Sequence, residues 1–107
     1  MKLTAQRCKT LPKGTPALAE KAAKALLNAI PGWKMKAKKI SRTFQFENYW
    51  ASLGFVNALG WIAQKEEHHP ELVLGYKTAT VTYWTHSVKG LSHNDFICAA
   101  KANALVD

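Results

Sequence analysis

The chain has 107 residues, the size of one domain, and 48% of them are apolar, enough for a compact core. No run approaches the roughly 18 apolar residues of a membrane-spanning helix, and the opening MKLTAQRCKTLPKG lacks the apolar stretch of a secretory signal. Fifteen Lys and Arg against seven Asp and Glu give a net charge of +8, compatible with a nucleic-acid partner, an anionic small molecule or a plainly basic surface.

Residues 1–14 carry Lys, Arg, Gly and Pro without a clear period and are expected to form an arm that covers something, or a loose tail. Residues 15–107 are expected to form a single domain. Thr15-Pro16 is a helix opening, with Thr as the N-cap and Pro at the first helical position. Leu18, Ala22, Ala25, Leu26 and Ala29 make the apolar stripe, and Pro31-Gly32 ends the helix.

In WKMKAKKISRTFQFE the period changes to two, which predicts a hairpin of half-buried strands turning at Lys36 to Lys38. Ile40, Phe44 and Phe46 share the apolar face, with Arg42 the one polar intruder. The lysines at 34, 36, 38 and 39 read as a solvated face rather than a nucleic-acid patch.

Asn48 is positioned to cap a long helix running to about Glu67. Tyr49, Leu53, Val56, Leu59, Ile62 and Ala63 form its expected core band. Trp50, Gly54, Asn57, Trp61, Gln64 and His68 form a second row, suited to a partner chain, a pocket or a second buried side. Pro70 disfavours helical backbone at His69, so the helix should stop near His68 or His69. Leu72 to Leu74 is a short strand. TATVTYWTH is a second one, with Ala79, Val81, Tyr83 and Thr85 on one face and His86 near its end. Ser92 caps a last helix, with Asp95 three residues on in capping-box position and Phe96, Ile97, Ala100 and Ala104 on the buried side. The expected fold class is α+β, a four-stranded antiparallel sheet with helices packed on one face, in the order α-β-β-α-β-β-α.

The chemistry-bearing residues are histidines. His68 and His69 lie side by side at a forced helix end, and His86 follows at the end of the long strand. Imidazole titrates nearest neutrality, so two rings facing one ligand can divide acid and base work. The bland alternative is a pair of surface histidines, with His86 an ordinary strand-end residue. His93 reads as surface. A three-histidine zinc site is disfavoured, because adjacent ligands suit a tetrahedral ion poorly and no cysteine stands at ligand spacing. Cys8 and Cys98 form no CxxC pair and suggest no disulfide framework, which fits a reducing, cytoplasmic setting. No Gly-rich phosphate loop and no nucleophile elbow are present.

Taken together, QKEEHHPELVLGY and YWTHSVKGLSHND resemble the pterin-4a-carbinolamine dehydratases. His68-His69-Pro70, Tyr76, His86 and Asp95 fall at the spacing of that family's signature, and the order of elements matches its fold over all but the first dozen or so residues. The resemblance implies a hydro-lyase that dehydrates a 4a-hydroxytetrahydropterin to the quinonoid dihydropterin, in the recycling of the pterin used by aromatic amino-acid hydroxylases, without a metal or redox cofactor. It implies acid/base roles for His68 and His86, and a holding or assisting role for His69. Pro70, Glu71, Trp84, Thr85 and Ser87 would shape the pterin pocket. Asp95 belongs to the signature and so is a candidate at the substrate, although its capping-box position favours a helix cap. The residue four before the first histidine is often acidic in the family and is Gln64 here; Glu66 or Glu67 could compensate. Relatives form dimers or tetramers, so a homodimer or homotetramer is expected. The competing class is a non-catalytic binding module acting as a dimerisation or transcriptional cofactor, as animal members do. With no helix of clustered Arg and Asn, direct DNA reading is not expected.

Overall fold

The computed structural model describes residues 2–107; of the expected arm, Met1 lies outside the described residues. The chain forms α1 (Glu20–Leu27), β1 (Lys34–Lys36), β2 (Lys39–Gln45), α2 (Tyr49–Glu66), β3 (Glu71–Leu74), β4 (Thr78–Tyr83) and α3 (His93–Ala104), with short 3-10 turns at Leu3–Ala5 and His86–Val88. This is the α-β-β-α-β-β-α order expected from the sequence, and the fold is α+β. The sheet is antiparallel throughout, in the order β1-β2-β4-β3. Ile40 pairs with Tyr83 and Glu71 with Thr82, which fixes the register of the central strands. Ile40, Phe44, Ala79, Val81 and Tyr83 are buried on the face toward the helices, whereas Thr43 and Gln45 on the opposite face are exposed.

The hairpin turns at Ala37-Lys38, both with positive φ (53° and 63°). A two-residue loop between right-twisted strands needs that conformation, and here it is adopted without the usual Asn-Gly. Arg42, the polar intruder, is accommodated by partners: Nη1 donates to Asn103 Oδ1 at 2.6 Å and to Asp107 Oδ2 at 2.9 Å, and the guanidinium lies 4.3 Å from the Phe44 ring centre.

Four expectations are corrected. The first helix begins at Glu20, not at Thr15-Pro16. Thr15 spends its hydroxyl on Pro12 O (2.6 Å), and the Leu18 N–H donates to Leu91 O (2.8 Å), which holds residues 15–19 extended against the loop before α3. Ala22, Ala25 and Ala29 are consequently exposed, and Ala23 and Ile30 are the buried residues. On α2 the core line is Ser52, Phe55, Leu59, Ala63 and Glu66; Tyr49 is exposed, and Leu53, Val56 and Ile62 are half-buried. Phe55 sets that phase by packing on Phe44 and Phe46 at 4.5 and 5.2 Å. The Trp50–Gln64 row is exposed, with Trp50 and Trp61 at 83% and 70%. The last strand stops at Tyr83, the residue paired with Ile40. The chain then closes a tight loop in which Thr85 N–H donates to Gly90 O at 2.8 Å. In α3, Ala104 is exposed, and nine residues from Asn94 to Asn103 are buried, so the helix is central rather than one-sided.

Candidate active site

Asn48 caps α2 as expected, its Oδ1 accepting from Ala51 N–H at 2.8 Å. The helix ends at Glu66, a little before the His68 or His69 expected from Pro70, through a left-handed Glu67 (φ 54°). His68 N–H reaches back to Ala63 O (3.1 Å) and Glu67 N–H to Gln64 O (3.3 Å). Those two bonds are the Schellman arrangement, which turns the chain sharply after the helix. His68 thereby leaves the exposed row it would have continued and becomes half-buried. Its ring stacks on Tyr83 at 5.7 Å and 8°.

At the other end of the site, α3 opens with the expected capping box between Ser92 and Asp95. Asp95 is fully buried and carries more than the cap. Its Oδ2 accepts from Ser92 N–H (2.9 Å) and from the Thr85 hydroxyl (2.8 Å), while Oδ1 lies 2.5 Å from His68 Nε2. Thr85 has one proton and gives it to Asp95, so the Ser92 hydroxyl, 2.7 Å away, donates to Thr85. An ionised carboxylate only accepts, so Nε2 of His68 carries a hydrogen toward Asp95. Nδ1 remains without a protein partner among the described residues. The carboxylate beside His68 is therefore Asp95 and neither Glu66 nor Glu67. Gln64, at the position where the signature is often acidic, is exposed.

His68 lines a depression of about 250 Å³, at the small end for a ligand pocket. Thr85 and Ser87 line it too, together with residues 8–11, Glu66, Glu67 and Asn94. Trp84 and His86 alternate out of it and line a neighbouring depression with Lys39 and Lys89. His86 lies in the 3-10 turn rather than at a strand end. It is exposed and tilts against Trp84 at 4.6 Å, and Lys39 Nζ stands 4.1 Å from a Trp84 ring centre. His69 is exposed, Pro70 half-buried, and Glu71 exposed at the start of β3. The structure thus joins His68, Thr85, Ser87 and Asp95, and sets His86 and Trp84 beside them in a separate depression. His69, Pro70 and Glu71 line neither of the two. No cluster of three or more His, Cys, Asp or Glu suited to a metal occurs among the described residues, and no helix among them is long and apolar enough to cross a membrane.

Sequence reasoning left the role of the arm open and missed Glu66 as its anchor. The Glu66 side chain is 2% exposed. Oε1 accepts from Cys8 N–H at 2.8 Å, Oε2 pairs with Arg7 Nε at 2.8 Å, and Lys101 stands 3.8 Å away. Burial pushes this carboxyl's pKa up, but the Cys8 N–H and the Lys101 and Arg7 charges outweigh it and hold the pKa below the usual value. The only sequence cue was Glu66 falling on the buried line of α2, legible once Phe55 is known to set the phase.

Comparison with known proteins places the chain in a family. Residues 16–105 match the family model described as pterin 4 alpha carbinolamine dehydratase. The chain belongs to the pterin-4a-carbinolamine dehydratase family. A relative from Dechloromonas aromatica, provisionally named a pterin-4-alpha-carbinolamine dehydratase, is 41% identical over 98% of this chain and 94% of its own. One of the same provisional name from Nitrosomonas europaea is 46% identical over 96% and 92%. A crystal structure from Brucella melitensis, described as a transcriptional coactivator/pterin dehydratase, superposes with a TM-score of 0.82 at 32% identity, covering 85% of this chain and 99% of that one. The residues singled out from the sequence are spread over the helix break (His68, His69, Pro70), the turn before β4 (Tyr76), the 3-10 turn (His86) and the first turn of α3 (Asp95).

Proposed function

We propose that the chain dehydrates a 4a-hydroxytetrahydropterin to the quinonoid dihydropterin and water by histidine acid/base catalysis. The reaction removes hydroxide from C4a and a proton from N5. It therefore needs a proton donor at the leaving oxygen and a base at the nitrogen. The observation that carries the reading is the His68–Asp95 contact of 2.5 Å, which fixes one imidazole by its Nε2 and leaves Nδ1 to exchange a proton. His86, one residue from both Thr85 and Ser87, takes the complementary role. His69 holds the pterin, and Pro70, Glu71, Trp84, Thr85 and Ser87 shape its surroundings. Asp95 acts through His68 and Thr85 as a positioning residue. The setting is cytoplasmic recycling of the pterin oxidised by aromatic amino-acid hydroxylases, in a homodimer or homotetramer.

The test is the dehydration rate of a 4a-hydroxytetrahydropterin with the purified chain and with His68→Ala and His86→Ala. Each substitution should slow turnover by about 10² or more, the usual contribution of a positioned acid or base. Loss of less than tenfold in both variants removes the assignment. The name of the Brucella melitensis structure also supports a second reading, a binding module that assists transcription. That reading predicts partner binding that survives His68→Ala.

A further inference from the structure

Residues 8–11 precede the region matched by the family model, yet they line the His68 depression together with Thr85 and Ser87. Two latches keep them there. The first is Glu66, which accepts from Cys8 N–H. The second is Asn94, buried in α3, which accepts from Lys9 N–H (Oδ1, 3.0 Å) and donates to Lys9 O (Nδ2, 2.8 Å), a two-way grip on one peptide. Between them the Cys8 thiol packs 3.4 Å from the Cys98 sulfur. Glu66 stands two residues before His68, and Asn94 immediately before Asp95. The elements that fix the catalytic imidazole therefore also fix this strap.

Past the second latch, Thr10 is exposed and forms no hydrogen bond with other described residues, and Leu11 is half-buried. One offers a hydroxyl and an unengaged backbone, the other an apolar edge. A flat bicyclic ligand entering beside His68 would meet both. We infer that the strap is a substrate-contacting wall of the site, with Thr10 and Leu11 setting affinity and selectivity for the pterin. The inference rests on the pterin reading. It assigns no proton transfer to the strap, so its contribution is to binding that is equal in the ground and transition states.

Neither side chain takes part in a latch, so both can be altered with the fold intact. The experiment measures binding of a 7,8-dihydropterin by fluorescence, together with steady-state turnover, for the full chain, Thr10→Trp and the double variant Thr10→Gly/Leu11→Ser. Circular dichroism and Tm confirm folding. The expected result is Kd and KM raised about tenfold in Thr10→Trp and about three- to tenfold in the double variant. kcat should stay within about twofold, the signature of lost uniform binding. Selectivity between C6-substituted and unsubstituted pterins should change with it. Wild-type affinity in both folded variants overturns the inference. So does a fall in kcat equal to the fall in kcat/KM, which would mean that the strap acts through His68, and so does a wild-type chain that binds no dihydropterin. Binding without turnover in the wild type sinks the dehydratase reading alone, and the Kd comparison still decides the strap.

Discussion

His68 and His86 stand 18 positions apart in one signature, and their surroundings share little. His68 is half-buried, stacked on Tyr83 and held by a carboxylate that is itself fully buried. His86 is exposed and rests against Trp84 among lysines. The first ring has its orientation and its hydrogen-bonding nitrogen decided by the fold. The second is exposed and held only by its contact with Trp84 among the described residues. A site that combines one fixed and one adjustable imidazole can stay rigid where the ring must be aimed and yield where a ligand must enter. The fixed ring is also where stability is concentrated, because a buried polar group is costly unless it is paired, and Asp95, Thr85 and Ser92 pair with one another there.

Asp95→Ala is the strongest way to break this contrast. It leaves Ser92 N–H and His68 Nε2 without their acceptor, takes one partner from Thr85, removes the Asp95 half of the α3 capping box and leaves a cavity. Breaking a buried, multiply bonded carboxylate should cost about 3–5 kcal/mol. Urea unfolding of the variant gives the value, and a loss below about 1 kcal/mol would mean that the network is wet and dispensable. Any activity that remains in a folded Asp95→Asn variant should fall with little change in KM, since the amide pairs with Thr85 but no longer demands a hydrogen on Nε2.

The same contrast explains what could be read from the sequence. Helices and strands followed from period and breakers: Asn48 capping α2, Pro70 ending it, Ser92 and Asp95 opening α3. These are local signals, acting within a turn or two of the residue that carries them. The His68–Asp95 pair spans 27 positions, and no periodicity announces it; only the family signature placed both residues at the site. Local rules were overridden where a distant partner competed. Thr15 carries a good cap side chain, but its hydroxyl goes to Pro12 and Leu91 captures the segment that would have been the first helical turn. Trp84 and Thr85 favour an extended strand up to His86, but the chain leaves the sheet at Tyr83 and Thr85 pairs with Gly90 across a tight loop instead. The arm was the least legible part. Its described residues form neither helix nor strand beyond one 3-10 turn, which is why the arm shows no period, and its anchors, Glu66 and Asn94, lie 58 and 85 positions away.

Tyr83 sharpens the comparison from the other side of the ring. Its hydroxyl is buried with no hydrogen-bond partner among the described residues, and burial drives its pKa upward. The stack on His68 and the tilted contact with Trp33 use the ring alone. Tyr83→Phe keeps both and removes the orphaned hydroxyl, so the variant should be more stable by about 1 kcal/mol. For a domain of this size that raises Tm by roughly 4–8 °C. A lower Tm would show that the hydroxyl is satisfied in solution and contributes to holding the stack.

The smallest expected effect belongs to His86. Its ring is exposed and rests against the tilted face of Trp84, a residue that Lys39 also covers. Surface substitutions away from caps, cavities and networks fall within about 0.5 kcal/mol. His86→Ala should therefore unfold in urea at the wild-type midpoint and with the wild-type slope, even though its turnover is expected to drop about a hundredfold. A stability loss approaching that of Asp95→Ala would place His86 in the structural network after all and abolish the distinction between a fixed and a free imidazole. An unchanged midpoint paired with lost turnover is the outcome that only a ligand-facing histidine produces, because no folding defect is then left to account for the missing rate.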